Sequence, residues 1–203
     1  MWKGRIIFGI SKVLIVLAVL LLMGCEEDKT NLVYELNKPD DLPADVYEVY
    51  SMIIDNQFSA QEYILLQQET DSSVHEEHCY RLYENQTTDL DTGTIGHYLR
   101  NNHESYNLDT DFDADIQVKL ITNEELKSYG LNSHKGWDSF HKNYPGARGV
   151  LYFTLPGFND SATKGLFEYT WHSGMDESEH YMVYLKKTEG EWHMMVHEKI
   201  DVH

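Results

Sequence analysis

An α+β fold is what the sequence predicts: an N-terminal helix packed on an antiparallel sheet that ends in a four-stranded C-terminal meander. Three observations carry that reading. Val46, Tyr47, Tyr50, Ile53, Ile54 and Phe58 recur at three- and four-residue spacing just after Pro43, which places them on one helix face. From Gly149 onward four β-prone runs alternate with turn signals, and connections that short favour antiparallel neighbours. The chain is 203 residues long, 41% apolar and 12% aromatic, too apolar for a disordered acidic segment and long enough to bury one core.

Taken in order, the first helix starts at Ala44, because proline is tolerated at a helix start and not inside one. Glu62 to Thr70 is a short β-prone run centred on Tyr63, Ile64, Leu65 and Leu66. Ser73-Val74-His75-Glu76 fits a capping box and predicts a helix from Val74 toward Asn85. A further short helix is expected from Ile95 to Asn101, then a strand from Ile116 to Ile121, where β-branched residues alternate. Thr122-Asn123-Glu124-Glu125 is a second capping box. Trp137, Phe140, His141 and Tyr144 mark an amphipathic helix ending at Pro145-Gly146. The four closing runs are Gly149–Leu155, Gly165–Trp171, His180–Lys187 and Glu191–Ile200. A two-residue turn at Glu189-Gly190 would set Lys187 opposite Trp192, Leu185 opposite Met194 and Val183 opposite Val196. Trp192 and Trp171 then fall on the core face.

Charge narrows the function. Sixteen Lys and Arg stand against 34 Asp and Glu, for a net charge of −18, so the field repels phosphate backbones and nucleic acid is not an expected partner. The exception to the acidity is the first 24 residues, which carry Lys3, Arg5 and Lys12, no carboxylate, and an apolar run from Val13 to Met23. That run spans about 16 Å as a helix, roughly half a hydrocarbon core, where a membrane span needs about 20 residues. The layout is that of a signal peptide.

Leu22-Met23-Gly24-Cys25 resembles the lipobox of bacterial lipoproteins, in which a small residue precedes the Cys that is lipidated. The resemblance implies residues 1–24 as signal peptide, lipid on Cys25, residues 25–43 as a tether and residues 44–203 as one globular domain. It implies a lipid bilayer as the partner of acylated Cys25 and a membrane lipid anchor as the location. Glu26, not Asp, follows the Cys, which points to the outer membrane facing the periplasm in a Gram-negative cell. Two acyl chains at about 0.8 kcal/mol per buried methylene suffice for stable anchoring. With Cys25 so used, Cys79 is left alone and no internal disulfide can form.

The segments Gly136-Trp137-Asp138-Ser139-Phe140, Tyr144-Pro145-Gly146, Gly149-Val150-Leu151, Gly157-Phe158-Asn159, Tyr184-Leu185-Lys186-Lys187 and Gly190-Glu191-Trp192 resemble a family of uncharacterised bacterial proteins, many of them predicted lipoproteins. The similarity extends over most of residues 44–200. It departs at Ser173-Gly174-Met175-Asp176-Glu177-Ser178-Glu179, where relatives tend to carry a glycine-rich loop, and at the C-terminus. Its motifs are turns, aromatics and hairpins, so it supports the fold and implies no activity.

Candidate chemistry is sparse. His75, His78 and Cys79, with Glu76 and Glu77 alongside, share a helix face at ligand spacing, yet the order is not HExxH and a solvated face explains them equally. Asp109, Asp111, Asp113 and Asp115 alternate like the opening of a calcium loop, but Ala114 and Leu120 stand where that loop needs Gly and Glu. His193 and His197, four apart in one strand, would share a face about 13 Å apart, too far for one metal. With Glu168, His172 and Tyr184 they would line a polar sheet face able to form a ligand groove. Ser161 and Ser173 lack a GxSxG context, and Gly93 and Gly96 form no phosphate loop. The expectation is a non-enzymatic binding or interaction domain of the cell envelope, recognising an envelope protein or a small ligand, with no cofactor or tightly held metal. The alternative is an envelope enzyme or metal-handling protein using His75, His78 and Cys79 or the histidines of the last strands.

Overall fold

The structure, a computed structural model, describes residues 33–85 and 89–200. The apolar leader, the lipobox and Cys25 lie outside the described residues. Within them five helices and seven strands follow one another: α1 (Ala44–Phe58), β1 (Tyr63–Gln67), α2 (Glu76–Glu84), α3 (Thr92–Asn101), β2 (Gln117–Ile121), α4 (Asn123–Tyr129), α5 (His134–Asn143), β3 (Val150–Phe153), β4 (Gly157–Phe158), β5 (Lys164–Gly174), β6 (Glu177–Thr188) and β7 (Glu191–Ile200). The class is α+β. No helix among the described residues is long and apolar enough to cross a membrane.

All strands join one sheet in the order β2-β1-β3-β5-β6-β7, with β4 paired to β5. The expected antiparallel sheet is corrected to a mixed one, since β1 runs parallel to both β2 and β3. The reason lies in the connections: two helices separate β1 from β2 and two more separate β2 from β3, enough chain to return in the same direction, where a hairpin cannot. From β3 onward the neighbours are antiparallel, and β3, β5, β6 and β7 form a C-terminal meander.

Cross-strand register assigns the faces. Leu151 opposes Trp171, Phe153 opposes Tyr169, and Phe167 opposes Val183, all on the face that α1 covers. There the Tyr50 ring stacks on Phe153 at 4.1 Å and meets Phe167 edge-on, while its hydroxyl donates to Thr154 O. The opposite face carries Val150, Tyr152, Glu168, Thr170, His180 and Met182. At one end of it Cys79 and Leu82 of α2 and Ile95 and Tyr98 of α3 join the main core. At the other end Trp137 and Phe140 of α5 form a second cluster with Tyr63, Leu65 and Val150. Between the two clusters, at Tyr152, Thr170 and His180, the sheet is open.

Two local readings are corrected. Ser73 does not cap α2; its N–H donates to Asp71 Oδ1 at 2.8 Å, and the helix starts at Glu76 with His75 as its N-terminal flank and no side-chain cap. The last hairpin turns at Glu189-Gly190, both at positive φ, and Lys187 opposes Trp192 and Leu185 opposes Met194 as expected. A bulge between Tyr184 and Leu185 then sets Val196 opposite Tyr184 and His197 opposite Val183. Met195 is the extra residue, 54% exposed, and inserting one residue reverses the alternation beyond it.

The stretch ahead of α1 is bonded into the fold. Asn37 and Gln68 exchange N–H···O bonds at 2.8 Å, and Asp40 and Asn107 do the same at 2.9 and 2.7 Å. Gln68 is itself buried, so its amide needs the main chain of residue 37 as a partner.

Candidate functional site

Glu168 lies mid-strand in β5 between Phe167 and Tyr169 and is 4% exposed. A carboxylate that deep is costly unless hydrogen-bonded, and three donors meet it. His75 Nδ1 is 2.6 Å from Oε2, the His75 backbone N–H donates to Oε1 at 3.1 Å, and the Tyr98 hydroxyl donates to Oε1 at 3.0 Å. A carboxylate only accepts, so Nδ1 carries the proton and Nε2 is left as the free ring nitrogen. The backbone of Glu168 is fixed as firmly: its N–H donates to Thr154 Oγ1, and its carbonyl accepts from both the N–H and the hydroxyl of Thr154.

Local sequence explains how the donors arrive. After β1 the chain continues alongside β3, with Asp71 N–H donating to Phe153 O and Asp71 bridging Thr154. The Asp71 carboxylate folds the next turn onto Ser73 N–H, which brings His75 over β5 at the start of α2. Glu168 thereby satisfies a backbone donor that the helix itself leaves open, and Glu76 and Glu77 in the first turn suit the positive helix end. Tyr98 is fully buried on α3, whose start is capped by Asp91 accepting from Thr94 N–H at 2.8 Å. Gly157 permits the approach: a Cβ there would lie 2.1 Å from Tyr98 N.

Over Glu168 opens a cavity of about 230 Å³, lined by Asp71, Ser73, His75, Thr170, His180 and Tyr152 together with Thr154 and Tyr169. It is smaller than a drug-sized pocket. His180 bonds Thr170 Oγ1 through Nδ1 at 2.9 Å and Ser178 through Nε2 at 3.2 Å, and its ring is 6.1 Å from that of His75. Burial, then the neighbouring His75, pushes the His180 pKa down, so this imidazole is neutral near pH 7. Burial and the charge of Asp71 push the Tyr152 hydroxyl up to about 12, and burial with Glu168 beside it raises Tyr98 well above the ordinary tyrosine value. Both phenols stay protonated.

Of the residues singled out from sequence, His75 and Glu168 line the cavity. His78 lies beside His75, ring centroids 6.0 Å apart, with Nδ1 buried and lacking a hydrogen-bond partner among the described residues. Cys79 is fully buried with Sγ against His75 O, and burial followed by the charge of Glu168 pushes its thiol up to about 12. A thiol held that firmly protonated is a poor ligand and nucleophile. His172 packs on Trp137 at 5.0 Å. His193 and His197 do not share a face: the bulge leaves His193 exposed opposite Lys186 and turns His197 to the α1 side, stacked on Tyr181 at 4.5 Å and bonded to the Tyr169 hydroxyl at 2.6 Å. Among the described residues no three His, Cys, Asp or Glu groups converge as metal ligands.

Sequence reasoning named Glu168 only as part of a polar sheet face and passed over Asp71, Tyr98, Tyr152, Thr170 and His180. One signal was available: a carboxylate embedded in Gly165-Leu166-Phe167-Glu168-Tyr169, a run otherwise bound for burial. Set against known proteins, the chain matches no family model, no curated protein and no solved structure.

Proposed function

We propose that this chain is a bacterial envelope lipoprotein, processed at Gly24 and lipidated on Cys25, whose globular domain binds a small ligand in the cavity over Glu168 without turning it over. The lipobox and the short basic-then-apolar leader support the anchor and an outer-membrane, periplasm-facing location. The observation that carries the binding reading is the buried Glu168 carboxylate, held by His75 and Tyr98 at the floor of a cavity. On this reading the meander of β3, β5, β6 and β7, with the N-terminal helix packed behind it, is the rigid platform that fixes the floor.

Replacing Cys25 by Ser is expected to release the protein from membranes or leave an uncleaved precursor; unchanged fractionation and migration refute the anchor. For the cavity, amide chemical shifts of the full chain titrated with a panel of small polar molecules are expected to move at residues 71–75, 168–170 and 180. Shifts confined to other regions refute the binding site. A second reading, an envelope enzyme, is favoured by one observation: a carboxylate fixes the His75 Nδ1 proton and leaves Nε2 unpaired at the cavity, the arrangement of an oriented general base. Turnover of any bound compound that His75→Gln abolishes would place that reading first.

A further inference from the structure

We propose that the cavity over Glu168 selects a small organic cation, a primary ammonium held between the carboxylates of Asp71 and Glu168; the proposal rests on the ligand-binding reading above. Charge is the first argument. Two carboxylates line the cavity and no Lys or Arg does, so a ligand anion would meet two like charges with only imidazoles to offset them. Lys164 of β5 and Lys186 and Lys187 of β6, the strands that carry the cavity, are committed elsewhere: Lys164 and Lys186 to Asp89, and Lys187 to Asp45 and Glu48.

Hydrogen-bond capacity is the second. Glu168 Oε1 accepts two bonds and Oε2 one, which leaves an acceptor site on Oε2. Asp71, also in the lining, uses Oδ1 for Ser73 N–H, and its Oδ2 makes no hydrogen bond among the described residues. Thr170 and Tyr152 supply further oxygens beside them. A primary ammonium has three donors and a full charge to distribute over such acceptors. A neutral ligand of the same shape would dehydrate both carboxylates and return no charge.

Size and geometry complete the argument. The volume of about 230 Å³ corresponds to about eight waters at roughly 30 Å³ each, so the ligand has on the order of ten non-hydrogen atoms. The same groups do not converge as a metal site, which directs the choice to an organic cation with spread-out contacts over a divalent ion.

The test titrates the full chain in detergent with three probes of one shape, n-butylammonium, n-butanol and butyrate, following the amides of residues 71–75, 168–170 and 180. Butylammonium is expected to bind at least tenfold more tightly than either other probe. Asp71→Asn, which keeps the Oδ1 acceptor for Ser73, is expected to weaken it at least tenfold with an unchanged thermal melt, while Asp138→Asn on α5 leaves it unaltered. Tighter binding of butanol or butyrate at the same residues, or an Asp71→Asn affinity equal to wild type, overturns the cation assignment and keeps the cavity as the site. If none of the probes moves these residues, both readings fall.

Discussion

His75 grips Glu168 twice, once through ring Nδ1 at 2.6 Å and once through its backbone N–H at 3.1 Å, so one residue both flanks the start of α2 and supplies two of the three donors to the buried strand carboxylate. The grip predicts an unequal pair of mutants. His75→Ala removes the ring donor while the backbone donor persists, leaving a buried charge with two bonds. It is expected to destabilise by about 1–3 kcal/mol, typical for leaving a buried acceptor short of a partner. The double change His75→Ala, Glu168→Gln, which removes the charge as well, is expected to recover part of that loss. Urea denaturation of the two variants checks it; equal loss in both would show that the charge is not what the ring compensates.

Gly157→Ala tests how the second donor is placed. Its Cβ would lie 2.1 Å from Tyr98 N and 2.3 Å from Tyr98 Cα, both backbone, so nothing flexible can yield. α3 has to shift, and the Tyr98 hydroxyl with it. The expected result is a loss of about 2–3 kcal/mol, toward the upper end of overpacking costs, together with changed shifts at Glu168. Gly190→Ala is the comparison. It sits at φ +90° with open space around the added Cβ, and only the backbone cost of roughly 1–2 kcal/mol applies.

Much of the fold was legible because its signals are local. Ala44 to Phe58 shows its buried stripe directly, Thr122 caps α4 by accepting from Glu125 N–H, and the Glu189-Gly190 turn fixes its own register for the first pairs. What was not legible depends on distant residues. Parallel pairing of β1 with β2 and β3 is set by where four helices pack. The bulge at Met195 carries no local signature, since Met194, Met195 and Val196 serve equally well in either register. The site is non-local too: Glu168 is 93 residues from His75 and 70 from Tyr98, and no spacing rule joins a helix start to the middle of a strand. A real capping pattern at Ser73 misled for the same reason, because Asp71 and Glu168 took the donors it would have served.

Trp192 and Trp171 separate a buried aromatic from a half-covered one. Trp192 is 9% exposed, and its Nε1–H donates to Asp45 Oδ1 at 3.1 Å, tying the last hairpin to the start of α1. Trp192→Ala is expected to cost about 3–5 kcal/mol. Trp171 is only partly buried, its ring resting on Phe58 at 5.0 Å, so Trp171→Ala is expected to cost clearly less. Chemical denaturation with a constant slope decides it, and an inverted order would contradict the assigned faces.

Cys79 gives a prediction on pH. Its thiol is raised from the usual range to about 12, by burial first and by the charge of Glu168 second, whereas an exposed cysteine ionises near 8.5. For an acid whose pKa is higher folded than unfolded, the linked stability is complete below the unfolded value and is lost as pH rises toward the folded one. Stability contributed by Cys79 is therefore expected to hold through pH 8 and decline between about pH 9 and 12. Because only the thiolate attacks, a chain with Cys25 replaced by Ser, leaving one thiol, is expected to resist an aromatic disulfide reagent at pH 8 and to react fully in urea. Stoichiometric labelling of the folded chain at pH 8 would mean that α2 does not seal Cys79 against the sheet, and Glu168 beside it would then be far more open to water than its 4% exposure allows.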